Sequence, residues 1–182
     1  MTPQHLTRAL EVTSELRTGF APTAPEPWTP ATAAAELNVQ LGHLALCLLA
    51  RHGADTGDLH DPGRPITDVG DELADVLLAT LSIPVLAGTQ PDPVPTEPAG
   101  TGNETIAFLL LLVSAGRLSE AAMRHDHYRH QPTGTPPPIE AASAEVITAC
   151  EVLAGDLGLD LIAEFDAMAV DAHRFLAGWE AS

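Results

Sequence analysis

Apolar positions along this chain recur at three- and four-residue spacing almost throughout, and they predict a succession of helices. From Pro30 to Arg51 helix formers are frequent, Leu37, Leu41, Leu44 and Leu48 make one stripe, and Gly53 marks the stop. A second apolar helix carries the run Asp71 to Leu78, and Pro84 near its end predicts a kink or an early stop. Two further helices are expected over about Asn103 to Arg124 and Ile139 to Leu157. A closing helix is expected over Leu159 to Trp179, with Leu161, Phe165, Met168, Ala172, Phe175 and Trp179 along one side. An N-terminal helix is expected from about Gln4 to Arg17, ending before Gly19, followed by a proline-rich extended strap over Ala21 to Pro30 that carries Trp28. Abundant Ala and Leu, few aromatics and few β-branched runs point the same way, to an all-α helical bundle.

The pattern also repeats. Aligning Gly42 with Gly116 pairs Leu41-Gly42-His43-Leu44 with Ala115-Gly116-Arg117-Leu118, and aligning Gly88 with Gly158 pairs Asp75 with Glu145. Repeat 1 then covers about 22–88 and repeat 2 about 103–182. Between them Thr89 to Gly102 holds four prolines and little apolar content, the composition of a surface linker. Two unrelated Ala/Leu-rich hairpins would give similar self-similarity. At 182 residues a single domain is expected, burying roughly 70% of the surface of its unfolded chain.

Within so apolar a pattern the ordered polar residues stand out. Glu72 and Asp75 lie at i, i+3 on one helix face, one turn apart, where two carboxylates can grip a hard cation. Two acids facing water near a helix N-terminus would satisfy the same spacing. On the preceding helix Gln40 and His43 share the spacing, with Glu36 one turn before Gln40. Gln40 offers a carbonyl oxygen. His43 offers an imidazole suited to Zn²⁺, Mn²⁺ or Ni²⁺, a proton carrier near neutral pH, or simply one hydrogen bond inside a bundle.

Val39-Gln40-Leu41-Gly42-His43-Leu44-Ala45, followed after a loop by Asp71-Glu72-Leu73-Ala74-Asp75-Val76-Leu77-Leu78, resembles the MazG-like, all-α NTP pyrophosphatase superfamily. The family pattern is Glu-x-x-Glu on one helix, with a Gly before its second Glu, and Glu-x-x-Asp on the next. Gly42, Glu72 and Asp75 match; Gln40 and His43 stand where the family has glutamates. Trp28 before the first helix and Gly158-Leu159-Asp160-Leu161 also look familiar. The resemblance implies a MazG-like bundle of two pseudo-repeats, a pseudo-dimer within one chain, with room for a homodimer. It implies hydrolysis of a nucleoside triphosphate, or a related phosphorylated metabolite, to monophosphate and pyrophosphate. Mg²⁺ (or Mn²⁺) would be held by Gln40, His43, Glu72 and Asp75, with His43, Glu72 and Asp75 catalytic. In repeat 2 the corresponding residues are Ser114, Arg117, Ala142 and Glu145, which implies a lost second metal site. A degenerate protein that binds a ligand or partner without hydrolysis, or a recruited biosynthetic enzyme using His43 as acid or base, would share these features.

A net charge of −17, with no lysine and eight arginines, argues against binding of a nucleic acid polymer through its backbone. A small phosphorylated ligand needs only a few converging cations, and Arg51, Arg64 and Arg117 are candidates to bind it; Trp28 is placed to stack on a nucleobase or to plug the bundle end. Phe108 to Val113 is strongly apolar but far short of a membrane span, so it reads as buried core and no membrane association is expected. Cys47 and Cys150 read as small buried hydrophobes, which suggests a cytoplasmic setting with reduced thiols. The run Arg124 to His130 gathers three histidines and an aspartate, but their spacing suits a helix C-terminus better than a metal site.

Overall fold

A computed structural model describes residues 1–60, 63, 66–96, 98–128 and 134–180, with the side chain of residue 180 left aside. Among the described residues there are six α-helices and no strand. They are α1 (Pro3–Phe20), α2 (Pro30–Arg51), α3 (Val69–Ala87), α4 (Glu104–His125), α5 (Ile139–Leu157) and α6 (Leu161–Glu180).

Local chemistry sets most of the boundaries. The Thr2 hydroxyl accepts from the His5 N–H ahead of Pro3, and Thr29 and Thr32 form a reciprocal capping box ahead of Pro30. Asp68, Asn103 and Asp160 accept from backbone N–H groups at the starts of α3, α4 and α6. α3 and α5 both end on a glycine in the left-handed region, Gly88 (φ 70°) and Gly158 (φ 74°), a conformation that penalises any Cβ.

Two boundaries differ from the sequence expectation. α1 runs through Gly19 to Phe20, because α6 crosses so close that a Cβ on Gly19 would lie 2.6 Å from Leu176 Cδ1. Here glycine serves helix packing rather than termination. α3 likewise does not stop at Pro84 but continues to Ala87, since burial on every side outweighs the one missing backbone donor.

α2, α3, α5 and α4 form a four-helix ring in which each packs on the next, while α1 and α6 close over the outer side of α3. The start of α2 meets the end of α4 through the Ala31 N–H to Asp126 contact (2.7 Å), and its end meets the start of α4 through Arg51 and Glu104 (3.1 Å), so the two run antiparallel. α3 is the axis: residues 76–84 are all buried, and Leu73, Leu77, Leu81 and Ile83 are fully so. One core joins both halves.

The halves share element lengths. α2 and α4 each have 22 residues, with Gly42 and Gly116 at the same place, and α3 and α5 each have 19, with Asp75 and Glu145 at the same place. α2 and α4 also have apolar stretches of membrane-spanning length. α2 turns its leucine stripe to the ring, whereas α4 buries mainly alanines with Leu111 and Leu118 and leaves Ile106, Leu109, Leu110, Leu112 and Val113 exposed, so most of the run expected as buried core over Phe108 to Val113 faces outward.

Of the histidine-rich run, the described part ends α4 and caps a neighbour. Asp126 accepts from the Ala31 N–H and pairs with His125 Nδ1 at 2.9 Å, while Arg129 and His130 lie outside the described residues. Burial pushes the Asp126 carboxyl up, but its bonds from His125 and Ala31 outweigh that and hold it below the usual carboxylate range. Both cysteines are buried free thiols. Burial and then the nearby Glu72, Asp68 and Asp71 charges push Cys47 up to about 11, and burial pushes Cys150 up as well.

Leu77→Ala should lower unfolding stability by ~2–5 kcal/mol, since α3 is held on all sides and cannot collapse onto the space left behind. Chemical denaturation measures this. A loss under ~1 kcal/mol would contradict the central placing of α3.

Candidate active site

The four polar residues singled out on the sequence stand on the facing surfaces of α2 and α3. Gln40 and His43 lie one turn apart on α2, and their side chains bond to each other, His43 Nδ1 to Gln40 Oε1 at 3.0 Å. Glu72, buried on α3, brings Oε2 to 3.4 Å from the same ring nitrogen. Both neighbours of Nδ1 are oxygen acceptors, so Nδ1 carries the hydrogen, and in the neutral ring the lone pair sits on Nε2.

Asp75, one turn along α3, and Gln40 line a cavity of about 570 Å³ between α2, α3, α1, the strap and α6. His43 and Glu72 are not part of its wall. The wall is strongly divided. Glu36, Asp71, Asp75 and Asp171 supply carboxylates, while Phe20, Trp28, Leu78, Met168 and Phe175 supply aromatic and apolar surface. Phe20 and Phe175 stack at 6.1 Å between ring centres.

Arg17 organises this cavity. It is buried, yet its Nε donates to Ser82 Oγ (2.7 Å), its Nη2 pairs with Glu36 (2.9 Å), and its guanidinium lies 4.7 Å over the Trp28 ring. One side chain from α1 therefore ties together α3, α2 and the strap, and fixes the aromatic ring by a cation–π contact. Burial raises the Glu36 carboxyl above its ordinary range, and Arg17 offsets only part of that. Sequence reasoning passed over Arg17, although it follows Leu16 on the stripe Ala9, Thr13, Leu16, where an arginine is out of place unless paired.

The other predicted cations sit elsewhere. Arg51 pairs with Glu104 at the far end of α2, Arg117 pairs with Glu145 between α4 and α5, and Arg64 lies outside the described residues. Neither Arg51 nor Arg117 lines the first cavity.

No protein-family model, curated protein or solved structure matches this chain. The site is therefore read from its own geometry.

Among the described residues, no three or more His, Cys, Asp or Glu side chains are gathered so as to hold a metal ion by themselves. Apart from Glu36, which is paired with Arg17, the polar groups facing the cavity from α2 and α3 are the oxygen donors Gln40, Asp71 and Asp75. That donor set fits Mg²⁺ in its usual protein setting, where one or two carboxylates hold it and water and ligand phosphates complete the shell. The His43 imidazole, turned by Nδ1 toward Gln40 and Glu72, does not add a nitrogen donor to that wall.

Arg17→Met would leave the Glu36 carboxylate buried without its partner and should cost ~3 kcal/mol. Removing the cation raises the Glu36 carboxyl further. A raised acid holds its proton more tightly in the fold, so its favourable contribution is present below the unfolded value and is lost as pH rises. The variant should accordingly lose more stability than wild type between pH 5 and 7, and Glu36→Leu in the same chain should recover most of it. Equal pH slopes in denaturation at the two pH values would refute the pairing.

Proposed function

We propose that this chain is a MazG-like nucleotide pyrophosphohydrolase with one working site, the first cavity. It would hydrolyse a nucleoside triphosphate or a related phosphorylated metabolite to the monophosphate and pyrophosphate. The observation that carries the reading is the division of a single cavity into an aromatic end, Trp28 held under Arg17, and a carboxylate wall, Asp71 and Asp75. A flat base stacks at the first end. The second would repel a bare triphosphate and accept one that arrives with a divalent cation.

Asp71, Asp75 and Gln40 would hold Mg²⁺, which when bound neutralises phosphate charge and acidifies water. Water adds to the α-phosphorus while the bond to the β-phosphate oxygen breaks, and pyrophosphate leaves. The chain's own part is orientation and proton handling. Trp28 fixes the ring end, and beside the cavity Gln40 accepts the His43 Nδ1 hydrogen, which leaves Nε2 as the basic nitrogen, with the Glu72 carboxylate 3.4 Å away to stabilise the imidazolium when a proton arrives. The equal helix lengths and shared glycine positions support an internally duplicated, pseudo-dimeric origin of MazG-like type, and the buried thiols suit a cytoplasmic setting.

One observation favours a second reading, a binding protein without turnover. Glu72 is turned to His43 rather than to the cavity, so the acid that the resemblance makes a metal ligand is engaged by an imidazole.

Pyrophosphate release from a panel of nucleotides, with Mg²⁺, with Mn²⁺ and without metal, separates the two. The hydrolase reading predicts metal-dependent release that Asp75→Asn abolishes, that His43→Gln slows by ~10²–10⁴-fold and that Glu72→Gln slows by no more than the loss of His43 itself. Release from no nucleotide, or equal rates in all variants, overturns it.

A further inference from the structure

The second half has a cavity of its own, of about 500 Å³, between α4 and α5 under the linker prolines Pro93 and Pro95. It occupies the place in its half that the first cavity occupies in the other. Where the first has Glu36, Gln40, Asp71, Asp75 and Leu78, the same helix positions here carry Leu110, Ser114, Ala141, Glu145 and Thr148. The hollow has been kept while its chemistry has changed. Small side chains, Ala107, Ala141, Ala144 and Ala149, leave the space open, and the surviving acid is neutralised.

That neutralisation is specific. Arg117 meets Glu145 side-on, Nε to Oε2 at 3.1 Å and Nη2 to Oε1 at 3.2 Å, which leaves the Nη1 edge of the guanidinium without a protein partner among the described residues. The Ser114 hydroxyl lines the same cavity, and Asp92 adds a second carboxylate at the linker side. The polar groups therefore offer one cationic edge and two acids beside a mostly apolar hollow. An anion would meet excess negative charge, within a chain of net charge −17. A zwitterion satisfies both signs at once.

We propose that this second cavity is a ligand-binding site for a small zwitterion with an apolar side group, of the class of aromatic or branched α-amino acids. The ligand carboxylate lies on the Nη1 edge of Arg117, its ammonium faces Glu145 and Asp92, and its side group fills the alanine-lined hollow beside Leu110 and Val152. The proposal stands on a different cavity from the hydrolase reading and does not depend on it.

Calorimetric titration of the full chain with L-phenylalanine, phenethylamine and 3-phenylpropionate, with amide NMR shifts to locate the site, tests it. L-Phenylalanine should bind with Kd below ~1 mM, shifting residues around Ser114 and Thr148, and each compound lacking one charge should bind at least ~10-fold more weakly. Arg117→Gln, a half-exposed change that leaves the core intact, should weaken L-phenylalanine ~10-fold or more, and Thr148→Trp, which fills the hollow, should abolish its binding. Failure of wild type to bind, equal affinity for all three compounds, or binding lost in Asp75→Asn but kept in Thr148→Trp would overturn the proposal.

Discussion

The structure depends on the burial of α3. Its apolar residues face every direction, so no single partner can cover it, and five other helices are arranged to do so. Such a helix leaves its few polar groups with nothing but protein to bond. Thr80 and Ser82 return their hydroxyls to Val76 and Leu78 carbonyls, Ser82 also accepts from Arg17, and Glu72 lies against His43. These obligations, imposed by burial, determine which side chains of α1 and α2 are drawn toward α3. The first cavity is built from what they hold in place.

The same constraint separates the two halves. α3 is covered on its outer side by α1 and α6, and that covering brings Arg17, Phe20, Phe175 and Asp171 to the first cavity. α5 has the linker in that role, so the second cavity is roofed by prolines instead of aromatic rings and an arginine. Equal helix lengths thus carry unequal sites. The difference arises less from the ring helices themselves than from what packs over them.

Much of this was legible in the sequence where local rules act without competition. The bounds of α2 and α5, the glycines just past them at Gly53 and Gly158, and the helical class follow from stripe spacing and cap chemistry. The helix ends expected at Gly19 and Pro84 did not occur because tertiary packing outweighed local preference: one residue admits a crossing helix, the other sits in the buried stretch of α3. Spacing also placed Gln40 and His43 on one face, and Glu72 and Asp75 on another. It could not show that Glu72 turns to an imidazole while Asp75 turns to a cavity. Nor could it assign the arginines, because an ion-pair partner such as Glu104 for Arg51 or Glu36 for Arg17 lies far off in the chain or on another helix.

The central claim is that one cavity joins a stacking ring to a cation-dependent phosphate end, and tryptophan fluorescence reads both at once. In a Trp179→Phe background Trp28 is the sole tryptophan. A non-hydrolysable triphosphate analogue should quench it only when Mg²⁺ is present, and Asp75→Asn should raise the Mg²⁺ needed. Quenching that is independent of metal and of Asp75, or no quenching at millimolar analogue, would contradict the account.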